Sequence, residues 1–189
     1  MERLMNLAEA MFFNLITVFG QAFLTDVEPM HNYVPEPQYA QELYCLTINT
    51  YHETRGEDFE SKVAVAQAVM NRVHDEEGEF RRYSNVCGIV KRSNIDSKGN
   101  PIKNECWYSW YCDGIPDTIQ LHTKSGEVNV LEKNAWRESI LASFYAYHDL
   151  YEPLVGEATH YYNYKTANPS WAEHYIMVGD VGEHRFLEQ

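Results

Sequence analysis

Apolar positions recur at helical spacing in four stretches of the chain. Leu4, Leu7, Ala8, Met11, Phe12, Leu15, Val18, Phe19, Ala22 and Phe23 form the first stripe. Asn6, Glu9, Asn14, Thr17 and Gln21 fall mostly off it, which predicts an amphipathic helix over residues 1–25. Asp26, Glu28, Pro29, Asn32, Pro35, Glu36 and Pro37 then break every period and predict a linker over 26–38. The next helix is predicted from Tyr39 to Glu53, with Leu43, Leu46 and Thr50 inward and Gly56 just past its end. Another runs from about Phe59 to His74, with Glu57 and Asp58 offering an N-cap and an acidic first turn. Phe59, Val63, Ala66, Val69, Met70 and Val73 form its stripe. The last covers 132–151, with Ala135, Trp136, Ile140, Ser143, Phe144 and Tyr147 near one face.

Residues 79–130 read as irregular. Arg81, Arg82, Lys91 and Arg92 concentrate positive charge there, and Asp96 to Pro101 is a loop by its turn chemistry. An aromatic run, Trp107-Tyr108-Ser109-Trp110-Tyr111, follows. His160–Tyr164 and Tyr175–Val178 read as short strands. In the first of these His160, Tyr162 and Tyr164 share one face, Tyr161 and Asn163 the other, and one face should line a cavity. Helices early and short strands late predict a mostly helical α+β domain over 39–189. The leading helix has three readings: a docking element, a secretory signal with Gly20-Gln21-Ala22 as its cleavage site, or a helix lying on a membrane. A spanning helix is least favoured, because the uninterrupted apolar run is shorter than about 18 residues.

Composition narrows the partners. A net charge of −13 argues against nucleic acid, which needs clustered cations. An aromatic share of 14% suits a core or a sugar-stacking surface better than a polyanion site. Cys45, Cys87, Cys106 and Cys112 are too few for a disulfide-dense scaffold. A bridge such as Cys87 with Cys112 and four buried thiols both stand as readings.

Tyr51-His52-Glu53-Thr54-Arg55-Gly56-Glu57 places a carboxylate in the last turn of a helix, before a glycine break. The negative end of the helix dipole, with aromatic surface nearby, should raise the carboxyl pKa of Glu53. A carboxylic acid that keeps its proton near neutrality can protonate a departing glycosidic oxygen. The bland alternative is that Glu53 pairs with Arg55 or caps something. Glu57 reads as structural, capping the following helix or pairing with Arg55. A zinc-protease helix would need a second histidine at position 56, which is glycine. His148, His160, His174 and His184 lack ligand spacing, so no metal or other cofactor is expected.

The blocks, taken together and in order, resemble the SleB-type cell wall hydrolases, a family that includes spore-cortex-lytic enzymes and some phage lysins. The family's E-A-R-G-E block is matched by Glu53-Thr54-Arg55-Gly56-Glu57, with Thr54 where Ala is usual. Asn71-Arg72-Val73 and Val86-Cys87-Gly88 follow. Ser109-Trp110 with Cys112-Asp113-Gly114 resembles Q-F-S-W-x-x-D-G, with Trp107 and Tyr108 in the Gln-Phe places. Tyr161-Tyr162-Asn163, then Pro169 and Trp171, and finally Gly182, His184 and Phe186 complete the order.

The resemblance implies a lysozyme-like fold, similar to goose-type lysozyme and resuscitation-promoting factors. It implies a peptidoglycan glycosidase cutting between N-acetylmuramic acid and N-acetylglucosamine, with Glu53 as catalytic acid. Several members are lytic transglycosylases, in which the sugar's own C6 hydroxyl attacks the anomeric carbon, so no second carboxylate is required. Ser109, Trp110, Tyr162, Asn163, Tyr161 and Trp107 are the expected substrate-binding residues. The expected partner is the peptidoglycan strand, with residues 4–24 offering a membrane or protein contact. The expected place of action is the bacterial cell wall, reached by secretion or by release of a phage lysin. Two other functions compete: a glycan-binding or virion structural protein on the same fold, and a zinc amidase built from the scattered histidines.

Overall fold

The computed structural model describes residues 37–189, so the helix predicted over 1–25 and the linker as far as residue 36 lie outside the described residues. Helix α1 spans Pro37–Thr54 and α2 spans Phe59–His74. α1 starts at Pro37 rather than Tyr39, because proline fits the first turn of a helix. Asp58 is the N-cap of α2, accepting from the Ser61 N–H at 2.9 Å. Glu57 therefore does not cap this helix, contrary to one reading of the sequence. α2 packs Val63, Ala64, Val65, Ala66, Ala68 and Val69 with no exposed surface, and its alanines let neighbouring backbones approach closely. Each buried Val, Leu or Phe side chain contributes about 1.5–3 kcal/mol.

The segment expected to be irregular holds more structure than its pattern shows. It contains a short helix α3 (Val86–Val90), a hairpin β1 (Ser93–Ile95) and β2 (Pro101–Cys106), and a 3₁₀ turn (Ser109–Cys112). The Asp96–Pro101 loop is the turn of that hairpin, with Asp96 accepting from the Lys98 and Asn100 N–H groups at 2.8 and 2.9 Å. The Cys87–Cys112 pairing is corrected: Cys45 joins Cys87, and Cys106 joins Cys112. Cys87 opens the helix that packs on α1, which carries Cys45, whereas Cys112 ends the turn that follows Cys106. The first bridge closes 42 residues and is worth about 4 kcal/mol on chain entropy alone.

Helix α4 (Val130–Tyr147) lies along both α1 and α2 and buries Ala135, Trp136, Ser139, Ile140, Ser143 and Phe144. Asn129 caps its start, and it ends before Asp149, whose φ of 51° turns the chain out of the helix. The chain then forms β3 (His160–Asn163), a second 3₁₀ turn (Ser170–His174), β4 (Ile176–Val181) and β5 (His184–Glu188). β5 lies between β3 and β4 in an antiparallel sheet. Phe186 faces inward, fully buried against Ala64, Ala68, Val155 and Ala158. The result is the mostly helical α+β architecture expected from the sequence. No helix among the described residues is long and apolar enough to cross a membrane.

Candidate active site

The last turn of α1 ends where the sheet meets α2, and Glu53 sits there. Its side chain is only partly exposed, and burial raises its carboxyl above the ordinary glutamate value. His184 and Arg72 pull the other way through their charge, as does the Tyr161 hydroxyl, which donates to Oε2 at 3.4 Å. The net direction is upward, so the protonated acid is favoured. Desolvation is the largest cause, as the aromatic surface near the motif suggested. Glu53 does not pair with Arg55, which lies 3.6 Å from Glu132 of α4.

Behind Glu53 lies a ring of buried polar groups. Nη1 of Arg72 donates to the Tyr108 hydroxyl at 2.6 Å, and Nε donates to the Thr159 carbonyl at 2.5 Å. The guanidinium lies over the rings of Phe80, Tyr108 and Tyr161, 4.9 to 5.6 Å from their centres. One turn before Glu53, Asn49 accepts from the Trp110 indole N–H at 3.0 Å. The Trp110 ring stacks on His52 at 4.7 Å. Trp110 thus braces two residues that precede Glu53 on α1.

Glu57 is treated differently by the fold. Burial works to raise it, but His184 and the Glu183 N–H outweigh burial and hold its carboxyl below the ordinary value. Nδ1 of His184 lies 3.1 Å from Oε1, and the Glu183 N–H donates to Oε2 at 3.1 Å. This also corrects the Glu57–Arg55 pairing read from the sequence. The approach requires Gly182, at φ +58°: a Cβ there would fall 2.0 Å from Ser61 Oγ and 2.6 Å from Glu57 Oε2. The fully buried Lys62 ammonium fixes the α1–α2 turn by donating to the Glu57 and Asp58 carbonyls.

Beside Tyr161 runs a groove of about 270 Å³ lined by Arg72, Phe80, Trp107, His160, Trp171 and Tyr175, among others. Trp107 and Trp171 are 41% and 39% exposed and offer open ring surface, whereas Trp110 at 8% is a wall. Of the six residues expected to bind substrate, Tyr161 and Trp107 lie on this groove. Tyr162 points to the opposite face of its strand from Tyr161 and packs edge-on to Trp171 at 5.8 Å. Asn163 is turned to the strand end, donating to Glu183 at 3.2 Å and accepting from the Lys165 N–H at 3.0 Å. Ser109 is exposed at the start of the 3₁₀ turn. Trp110 is held by α1 away from the groove lining.

Sequence reasoning gave no role to Arg72, Tyr108, Asn49 or Tyr175. Arg72 entered only as part of the Asn71-Arg72-Val73 block. His148, His160 and His184 lie in separate neighbourhoods, against Tyr39, Glu79 and Glu57. No group of three or more His, Cys, Asp or Glu among the described residues is arranged to hold a metal ion.

Comparison with known proteins bears on family and fold. The family model for cell wall hydrolases matches residues 56–187, beginning just beyond Glu53. No curated protein matches the chain. In fold it is similar to the catalytic domain of the germination-specific lytic transglycosylase SleB from Bacillus anthracis, at 18% identity and a TM-score of 0.51. That match covers 85% of this chain and 100% of the other. The catalytic domain of the Bacillus cereus SleB protein matches at 21% identity and a TM-score of 0.47, with the same coverage.

Proposed function

The chain belongs to the cell wall hydrolase family, and on that premise we propose that it is a peptidoglycan-cleaving glycosidase whose general acid and base is Glu53. The observation that carries the assignment is the raised, desolvated carboxyl of Glu53, hydrogen-bonded by the hydroxyl of Tyr161, a residue that lines an aromatic groove. Aromatic faces such as Trp107 and Trp171 stack on the apolar faces of sugar rings. The protonated Glu53 gives its proton to the glycosidic oxygen between N-acetylmuramic acid and N-acetylglucosamine as that bond breaks. The resulting carboxylate then accepts a proton from the C6 hydroxyl of the muramic sugar, whose oxygen bonds to C1. The products are a 1,6-anhydromuramic end and a free 4-hydroxyl, and Glu53 is protonated again.

This lytic transglycosylase route is favoured because Glu57, the neighbouring acid of the motif, is committed to His184 and the Glu183 N–H. A two-carboxylate hydrolase would need a second acid free to activate water. The similar Bacillus anthracis domain is itself described as a lytic transglycosylase. Substrate in the cell wall places the action outside the cytoplasm, and two disulfides suit an oxidising compartment. Mass spectrometry of fragments released from purified sacculi tests the route. Anhydromuramic ends are expected, and reducing ends from every cut would make the enzyme a hydrolase. A Glu53→Gln variant with full activity would end the assignment.

A further inference from the structure

The chain carries 28 acidic residues against 15 Lys and Arg, so a cation should find a carboxylate easily. Arg81, Arg82, Lys91 and Arg92 nevertheless have none at ion-pair distance among the described residues. Three of them, Arg81, Arg82 and Arg92, meet at a recess of about 460 Å³ that also includes Trp107, Glu77 and Glu79. Glu79 is spoken for: its Oε1 lies 2.8 Å from Nε2 of His160. Arg92 lies over the Trp107 ring at 5.8 Å, donates through Nη1 to the Ser93 carbonyl, and keeps a buried Nε with no hydrogen-bond partner. A buried donor left unpaired is costly, and an acceptor that reached it would satisfy it.

The recess shares Trp107 and Glu79 with the aromatic groove, which is also lined by Tyr161, the residue that donates to Glu53. A strand lying in the groove would therefore present its side groups to the three guanidinium groups. Guanidinium forks match carboxylates in shape and charge. In peptidoglycan the muramic sugar bears a peptide stem with free carboxylates. We propose that this recess is a subsite for the stem-peptide carboxylates, making the enzyme selective for stem-bearing over denuded glycan. The proposal rests on the glycosidase reading of Glu53. It also runs against the net charge: with −13 on the chain, long-range repulsion alone predicts poorer cleavage of anionic, stem-bearing strands.

The test uses the full chain and sacculi extracted of phosphate polymers, so that carboxylates are the only anions present. One portion keeps its stems and the other is stripped of them by an amidase. Wild type is expected to cleave stem-bearing strands with roughly fivefold higher kcat/KM at low salt, the size that two solvent-facing ion pairs supply. The preference should vanish near 0.5 M salt. The Arg81→Ala/Arg82→Ala variant is expected to cut both substrates at the wild-type rate for stripped strands. Equal or reversed preference in wild type overturns the subsite, as does a double variant that keeps the preference or loses stripped-strand cleavage too. Faster cleavage of unextracted, phosphate-bearing sacculi than of extracted ones, with no preference for stems in either, would assign the recess to phosphate and overturn the carboxylate assignment. If wild type cleaves neither preparation, the glycosidase reading itself fails, and the subsite falls with it.

Discussion

The closing turn of α1 and the approach to α2 each present one glutamate, and the fold drives the two in opposite directions. Glu53 is desolvated and meets one weak donor, the Tyr161 hydroxyl at 3.4 Å, so desolvation dominates and its carboxyl is raised above the ordinary value. Glu57 is also partly buried, yet it meets a histidine and a backbone N–H at 3.1 Å and stays ionised. Burial is common to both, so the difference lies in the number and proximity of donors. That separation is the pattern by which one site obtains an acid and a fixed anion from the same side chain. Glu57 also ties the helical half to the β4–β5 turn, and so serves the frame around the acid.

The largest break in this contrast should come from Glu53→Gln. Loss of a general acid lowers the rate by roughly 10²–10⁴, read as soluble fragments released from sacculi. The same variant should not lose stability. A raised carboxyl contributes stability below the ordinary glutamate value and forfeits it as pH rises through the folded value. Glu53→Gln should therefore gain Tm over wild type on the alkaline side.

Glu57→Gln should give the mirror image. Losing charge-assisted bonds costs about 2 kcal/mol at neutral pH, seen in chemical denaturation, with cleavage reduced far less than in Glu53→Gln. Because the Glu57 carboxyl is lowered, its stabilisation is present above the ordinary glutamate range and lost as pH falls through the folded value. The gap between variant and wild type should close in acid. An inactive Glu57→Gln beside an active Glu53→Gln would exchange the two roles. Gly182→Ala tests the same contact from the other side. Displacing Glu57 and Ser61, with added strain at φ +58°, should cost about 2 kcal/mol in the same denaturation assay.

The smallest expected change sharpens the contrast further. The Tyr161 hydroxyl favours the Glu53 carboxylate, so Tyr161→Phe should raise the Glu53 pKa. The alkaline limb of the pH–rate profile should move to higher pH, with the maximal rate changed by about threefold or less. A limb displaced to lower pH would contradict the hydrogen bond's role.

Periodic patterns carried most of the helical frame. α2 runs from Phe59 to His74 as its apolar stripe predicts, and Leu43, Leu46 and Thr50 of α1 are buried as expected. The hairpin was hidden because β1 and β2 are largely exposed and polar, so no alternation marks Ser93–Cys106 as strand. β5 was hidden because His184, Arg185 and Glu188 interrupt it, although His184 and Phe186 point inward. The candidate acid Glu53 was read from its place before a glycine break, and Trp107 and Tyr161, which line the groove, from their aromatic runs. The roles of Arg72, Tyr108 and Glu57 were not, since each depends on contacts across more than 30 residues of chain. The disulfide partners were unreadable for the same reason: spacing alone leaves all pairings open.

Carboxyl-carbon NMR titration of the full chain, with Glu53→Gln and Glu57→Gln assigning the two signals, tests the central claim most directly. Glu53 is expected to titrate above the ordinary glutamate value and Glu57 below it. A Glu53 signal that titrates at or beneath that of Glu57 would contradict the account.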